Sequence, residues 1–310
     1  MTFSHSVRFD PIKDITSLEG KVILVTGGSN GLGKRSVLEF TRHGPAMIWL
    51  AARNPEKAAQ AVSDITKEVP GVPISILPLD LNSLRSVQEA AKIFLEKSTR
   101  LDILMLNAGI MAHPPALTSD GYEIQFGTNH LGHALLTKLL LPALLRTAGE
   151  SPKADVRVIV LSSVGHNFAP DKGIQFDTLK SKAESLSGLA RYGQSKLANI
   201  LYTQELARRY PQLKVVSVHP GHVKTNLGDV MTGESFWMRI GFKAAAALQG
   251  VTVEEGVKNQ LWASTASDIR TGEYYEPVGV AGKGSKYTGD PKLARELWDW
   301  TEKELVVFTH

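Results

Sequence analysis

Short apolar, β-branched runs alternate along the chain with longer stretches in which apolar residues recur at helical spacing. Residues 21–25, 47–52, 72–79, 101–106, 156–161 and 215–218 read as six strands, each continuous in hydrophobicity rather than alternating. Continuous runs fit strands covered on both faces. Between them, Pro55 opens a helix at its first position, Asn82 is placed to cap a helix over 84–95, and a long helical region spans 122–145. Tyr192 lies in a further helix, and residues 293–307, with Trp298 and Trp300, close the chain as a packing helix. Strands and helices in this rhythm predict an α/β fold, one doubly wound parallel sheet with right-handed crossovers and helices on both faces. Residues 21–310 then form a single domain after an N-terminal extension, 1–20.

Ligands of such sheets bind outside the carboxyl ends of the strands, where Gly27, Arg53, Asp80, Asn107, Ser163 and Pro220 all fall. The first strand runs into Thr26-Gly-Gly-Ser-Asn-Gly-Leu-Gly33 and then a helix, the setting of a Rossmann-type dinucleotide turn. Gly27 permits the tight turn, Gly31 brings backbone close to a pyrophosphate, and Gly33 lets the helix pack on the strand, with Ser29, Asn30 and Leu32 completing the loop. Amides at the helix N-terminus face the phosphates. The same segment matches the Gly-x-Ser-x-Gly elbow of hydrolases. That reading needs earlier strands, and only about twenty residues precede this one.

The second strand ends in Arg53, where an enzyme selecting NAD places Asp or Glu; an arginine suits the 2′-phosphate of NADP. Lys34 and Arg35 are candidates for a second cation. Asp80 stands where a carboxylate accepts from an adenine amino group, followed by Leu81, and the small residues of Asn107-Ala108-Gly109 let the chain pass close to the cofactor ribose.

Tyr192-Gly-Gln-Ser-Lys196 places a phenol and an ammonium one turn apart on one helix face. A nearby cation favours the phenolate and moves the phenol toward neutral pH, as a general acid/base requires. Taken alone, the spacing is common by chance and fits an amphipathic helix residue beside a solvated lysine.

Together these pieces resemble the short-chain dehydrogenase/reductase family, most closely its retinol-dehydrogenase-like members, from about residue 21 to at least 275. The matching residues are Thr26, Gly27, Gly31, Gly33, Asp80, Leu81, Asn107 to Gly109, Asn129, Ser163, Tyr192, Lys196, Pro220, Gly221 and Thr225, with Val223 between the last two. The resemblance implies that Tyr192 exchanges a proton with the reacting oxygen. It implies that Lys196 holds the nicotinamide ribose and stabilises the phenolate, that Ser163 donates to the reacting oxygen, and that Asn129 holds a water linking Lys196 to solvent. Thr225 is then the carboxamide contact. Ser162 and Ser163 face opposite sides of their strand, and the family pattern selects Ser163. His166, in the loop 165–189, is either a substrate contact or a solvated histidine.

The implied activity is hydride transfer between NADP and a lipophilic aldehyde, ketone or alcohol. The alternatives are a non-catalytic NADP-binding regulator, or an epimerase or dehydratase built on the same site. A homodimer through helices flanking the sheet is the pairing the resemblance implies.

Composition narrows the rest. The 310 residues, 43% of them hydrophobic, are enough for one large core. A net charge of +4 is spread along the chain, so no nucleic-acid partner is expected. There is no cysteine, no segment apolar enough to span a membrane and no signal peptide, which together predict a cytoplasmic protein. His130 with His133, and His219 with His222, lack a metalloenzyme pattern, and no metal is expected. Residues 227–250, with Phe236, Trp237, Met238, Ile240 and Phe242, are too apolar for a plain connection and are expected to form a substrate lid, the alternative being a helical excursion packed on the body or a dimer contact.

Overall fold

The computed structural model describes residues 6–221, 223 and 250–309. Its first half runs β1 (Val22–Thr26), α1 (Gly31–Thr41), β2 (Met47–Ala52), α2 (Pro55–Glu68), β3 (Ile74–Pro78), α3 (Leu84–Lys97) and β4 (Ile103–Leu106). The second half runs α4 (Gly132–Gly149), β5 (Arg157–Leu161), α5 (Gly188–Arg209), β6 (Lys214–Val218), α6 (Lys258–Thr265), β7 (Tyr274–Glu276), β8 (Val280–Ala281) and α7 (Pro291–Leu305). The strands form one sheet in the order β3-β2-β1-β4-β5-β6-β7-β8, parallel throughout except for β8. Strand order reverses between β1 and β4, so a crevice opens at their carboxyl ends.

Successive side chains of a strand point to opposite faces, and both faces here are covered. Leu24, Trp49, Leu104 and Val158 pack with α3, α4, α5 and Trp298 of α7. Ile23, Val25, Ile48, Met105 and Ile159 pack with α1, α2 and α6. This two-sided burial is why the strands read as unbroken apolar runs. It also absorbs the N-terminal extension, whose Phe9, Ile15 and Leu18 are buried in the same cluster as Ile23 and Trp262.

The structure departs from the sequence reading in several places. β7 and β8 are additional strands of three and two residues, too short and too polar at Glu276 to leave an apolar run. Ser83, not Asn82, caps α3, accepting from the Ser86 amide, while the Asn82 amide itself donates to Asp80 Oδ1 at 3.0 Å. The region 122–145 is not one regular helix. A short turn, Ile124–Phe126, passes through a π-helical stretch, Gly127–Leu131, before α4 begins. Residues 227–249 lie outside the described residues.

α7 is strapped across α5. Trp298 stacks on Tyr202 at 5.1 Å and 13°, the Arg209 guanidinium lies 4.6 Å over the Trp298 ring, and Lys138 of α4 pairs with Glu302 at 2.7 Å. Replacing Trp298 by alanine removes the stacked ring from a filled interface and is expected to cost about 3 kcal/mol. A urea midpoint unchanged from wild type would show that α7 adds nothing to the body.

Candidate active site

β1 ends where the chain must turn sharply under α1. Gly27 has φ +68°, and a Cβ on Gly33 would stand 2.2 Å from the Gly27 carbonyl oxygen, so this helix reaches this strand only with glycine at position 33. Asn30 caps α1, its Oδ1 accepting from the Gly31 amide at 2.8 Å, and Ser29 and Leu32 are partly exposed beside it. The turn is fastened to β4 from below. Thr26 Oγ1 accepts from the amides of Asn107 (2.9 Å) and Ala108 (3.0 Å), and Asn107 Nδ2 donates to the Thr26 carbonyl at 2.9 Å.

Tyr192 and Lys196 project from α5 on one face, with Lys196 Nζ 5.7 Å from the centre of the Tyr192 ring. Ser163, two residues past the end of β5, stands beside the Tyr192 phenol, and its Oγ accepts from the Gly165 amide at 3.0 Å. Ser162 points the other way and donates to the Lys196 carbonyl at 2.8 Å. The Lys196 ammonium donates to the Leu161 carbonyl at 3.0 Å, an acceptor shared with Asn199 Nδ2. Asn129 sits in the π-helical turn, a local irregularity that re-aims side chains. Its Oδ1 accepts from the Ile110 amide (2.8 Å), and its Nδ2 donates to the Ile110 carbonyl and to Ser195 Oγ, both at 2.9 Å.

The electrostatics correct one expectation. Lys196 was expected to acidify Tyr192, yet the phenol lies above its ordinary value because it is buried; only the Ser163 hydrogen bond pulls it down. Burial acts on the lysine too, lowering its ammonium to about 8. Desolvation of both groups outweighs their mutual attraction.

Arg53 is exposed at the end of β2. Its proposed neighbours are engaged elsewhere: Lys34 pairs with Asp64 at 2.6 Å, and Arg35 with Glu39 at 2.7 Å. Asp80 is partly buried and Leu81 packs into the core. Pro220 and Gly221 follow β6, and Val223 bridges to Val251. Thr225 and His222 lie outside the described residues. His166 is not solvated: it is fully buried, with Nδ1 2.7 Å from the Ser163 carbonyl and Nε2 accepting from the Ser285 amide at 3.1 Å.

The short chain dehydrogenase family model matches residues 21–173. Short-chain dehydrogenase/reductase drtF of Aspergillus calidoustus is 40% identical over 305 residues, 94% of this chain and 95% of that one. The chain belongs to the short-chain dehydrogenase/reductase family. Retinol dehydrogenase 13 of Homo sapiens is 36% identical over 295 residues, covering 91% and 83% of the two chains. Among solved structures, a protein from Mycobacterium Paratuberculosis superposes with a TM-score of 0.73 at 29% identity, covering 94% and 96%. The Pseudomonas aeruginosa RhlG/NADP active-site complex gives 0.65 at 26% identity, covering 86% and 98%. As a short-chain dehydrogenase/reductase, the chain is an oxidoreductase acting on CH–OH and C=O groups.

Sequence reasoning missed the supports of this dehydrogenase site. Arg191, beside Tyr192, forms a fully buried ion pair with Glu123 at 3.0 Å and donates to the His113 carbonyl at 2.9 Å. It joins α5 to the segment leading into the Asn129 turn. Breaking such a pair from one side costs about 3–5 kcal/mol. A charged pair buried among apolar neighbours leaves no periodic signal in the sequence.

His130 and His133 meet different partners: Thr301 Oγ1 lies 3.1 Å from one, Thr26 Oγ1 2.9 Å from the other. Burial lowers both imidazoles to about 3, so each is neutral in the fold. Below pH about 6.5 the unfolded chain takes up protons that the native state refuses, so their stabilisation is complete above that pH and lost progressively toward 3. The urea midpoint is therefore expected to fall as pH drops below about 6.5, and His130→Phe to make that fall shallower. Identical slopes for the two proteins would contradict the assignment.

Proposed function

We propose that the protein is an NADPH-dependent carbonyl reductase, or in reverse an alcohol dehydrogenase, acting on a lipophilic aldehyde, ketone or alcohol. The observation carrying this reading is that, at the carboxyl ends of β4 and β5, Lys196 and Asn129 meet beside Gly109 while Ser163 stands beside Tyr192 one helical turn from Lys196. A Cβ on Gly109 would lie 3.2 Å from Asn129 Oδ1 and 3.4 Å from Lys196 Nζ, so a cradle is left there by the lack of a side chain. That cradle, the Gly27 turn and the α1 N-terminus fit a dinucleotide, with Asn107 to Gly109 along its ribose and Arg53 reaching the 2′-phosphate.

Bound NADPH supplies the hydride. Tyr192 then donates its phenolic proton to the carbonyl oxygen, and burial suits this role by keeping the phenol protonated at neutral pH. Ser163 donates to the same oxygen, stabilising charge that develops in the transition state. Lys196, at about 8, is mostly charged at neutral pH and still able to release a proton toward the phenolate left behind. Asn129 holds the route from Lys196 to solvent. Asp80 and Leu81 complete the adenine end, and Pro220, Gly221, Val223 and Thr225 the nicotinamide end. Residues 21–310 act as one catalytic domain, with a cytoplasmic setting. The Pseudomonas aeruginosa RhlG/NADP active-site complex, at 26% identity, supports the choice of cofactor.

Tyr192→Phe is expected to lower kcat for reduction of an aldehyde panel at least about 100-fold while leaving NADPH binding near wild type. Undiminished turnover would end the reading. Arg53→Asp is expected to shift the ratio of NADP to NAD affinity toward NAD by about tenfold or more. An unaltered ratio, read by titrating both cofactors against tryptophan fluorescence, would remove Arg53 from the 2′-phosphate.

A further inference from the structure

The hydrogen bonds of Thr26 fix the state of a histidine outside the residues assigned above. A hydroxyl oxygen has two acceptor sites and one proton. Both acceptor sites of Thr26 Oγ1 are taken, by the amides of Asn107 and Ala108. Its proton therefore has to be donated, and the near acceptor is His133 Nε2 at 2.9 Å; the Met105 carbonyl is 3.5 Å away. Nε2 is then bare, and Nδ1 carries the ring hydrogen. Nδ1 lies 3.0 Å from the Asn129 backbone carbonyl, which can only accept. One neutral tautomer satisfies every group, and the opposite tautomer or the imidazolium would set a ring N–H against a hydroxyl with no lone pair left. Full burial keeps the ring neutral and dry.

We propose that His133 is a positioning residue: through its Nδ1-protonated ring it clamps the Asn129 turn to the Thr26 hydroxyl, holding the proton-handling groups and the cofactor turn in one register. The clamp rests on the NADPH-dependent reading above. On one side it reaches Asn107 and Ala108. On the other it reaches Asn129, and through Ser195 Oγ, which donates to the Tyr192 carbonyl at 2.7 Å, the helix bearing Tyr192 and Lys196. The two arms are separable because they leave from different ring nitrogens.

The test compares His133→Phe, His133→Gln and His133→Asn in the full-length protein, reading NADPH affinity by fluorescence without turnover, kcat with saturating NADPH, and the urea midpoint. Glutamine keeps an acceptor near the Nε2 position and asparagine a donor near the Nδ1 position. His133→Phe is expected to lose about tenfold in both NADPH affinity and kcat. His133→Gln should recover affinity but not kcat, and His133→Asn kcat but not affinity. Thr26→Val combined with His133→Phe should bind NADPH no more weakly than the worse single variant, since both remove the same link. Equal losses in the glutamine and asparagine variants that follow the urea midpoint would make His133 a packing residue only and overturn the proposal. So would wild-type affinity and kcat in His133→Phe. NADPH affinity is read without catalysis, so this outcome is separate from that of Tyr192→Phe, which decides the reading beneath it.

Discussion

The carboxyl ends of β1 and β4 must come close enough for a ligand to lie across both, and one buried hydroxyl makes that approach possible. Each strand end leaves amides without a sheet partner, and buried amides without partners are costly. Thr26 takes two of them, from Asn107 and Ala108, and the Asn107 side chain returns a bond to the Thr26 carbonyl. With the two ends tied, a side chain at position 33 has nowhere to go, and the glycine there follows from the same approach. The crevice is therefore a consequence of how two strand ends satisfy their backbone groups.

Around that junction, burial sets the chemistry more than charge pairing does. The Tyr192 phenol and the Lys196 ammonium are both nearly inaccessible, and each is shifted toward its neutral form. The phenol therefore rests protonated at neutral pH, while the ammonium, at about 8, holds its proton less tightly than a lysine in water. The Leu161 carbonyl counters this for the lysine, and Ser163 for the tyrosine. The position of these two acceptors and donors, fixed at the end of β5, decides how far each group is held from its solution behaviour.

The fold was legible in the sequence where the physics is repetitive. Five strands buried on both faces, and the half-buried edge strand β3, announce themselves as apolar runs, and the glycine turn announces a strand feeding a helix. β7 and β8 were not legible, because three and two residues with a glutamate carry no period. The cap of α3 moved by one residue, from Asn82 to Ser83, since the Asn82 amide is drawn to Asp80. At the site, residue types with distinctive chemistry at fixed spacing could be found: Ser163, Tyr192, Lys196 and the glycines. The direction of the Tyr192 shift could not, because spacing reveals that a cation is near but says nothing of how dry the pair is. Lys34 shows the same gap, since its partner Asp64 is thirty residues away and on another helix.

The supporting shell shows why an enzyme site needs more polar burial than a stable core would. Glu123 and Arg191 are both desolvated, and apolar residues of equal volume would hold the helices together at least as well. An apolar contact tolerates sliding, however, whereas a charged pair with added bonds to the Phe126 amide and the His113 carbonyl has one geometry. That pair, with Asn129 and Ser195, fixes α5 against the turn before α4 at several points along its length. A helix pinned in this way can neither rotate nor shift by a residue, and Tyr192 and Lys196 need that restraint, because a displacement of about 1 Å at a reacting atom is enough to lose about 100-fold in rate.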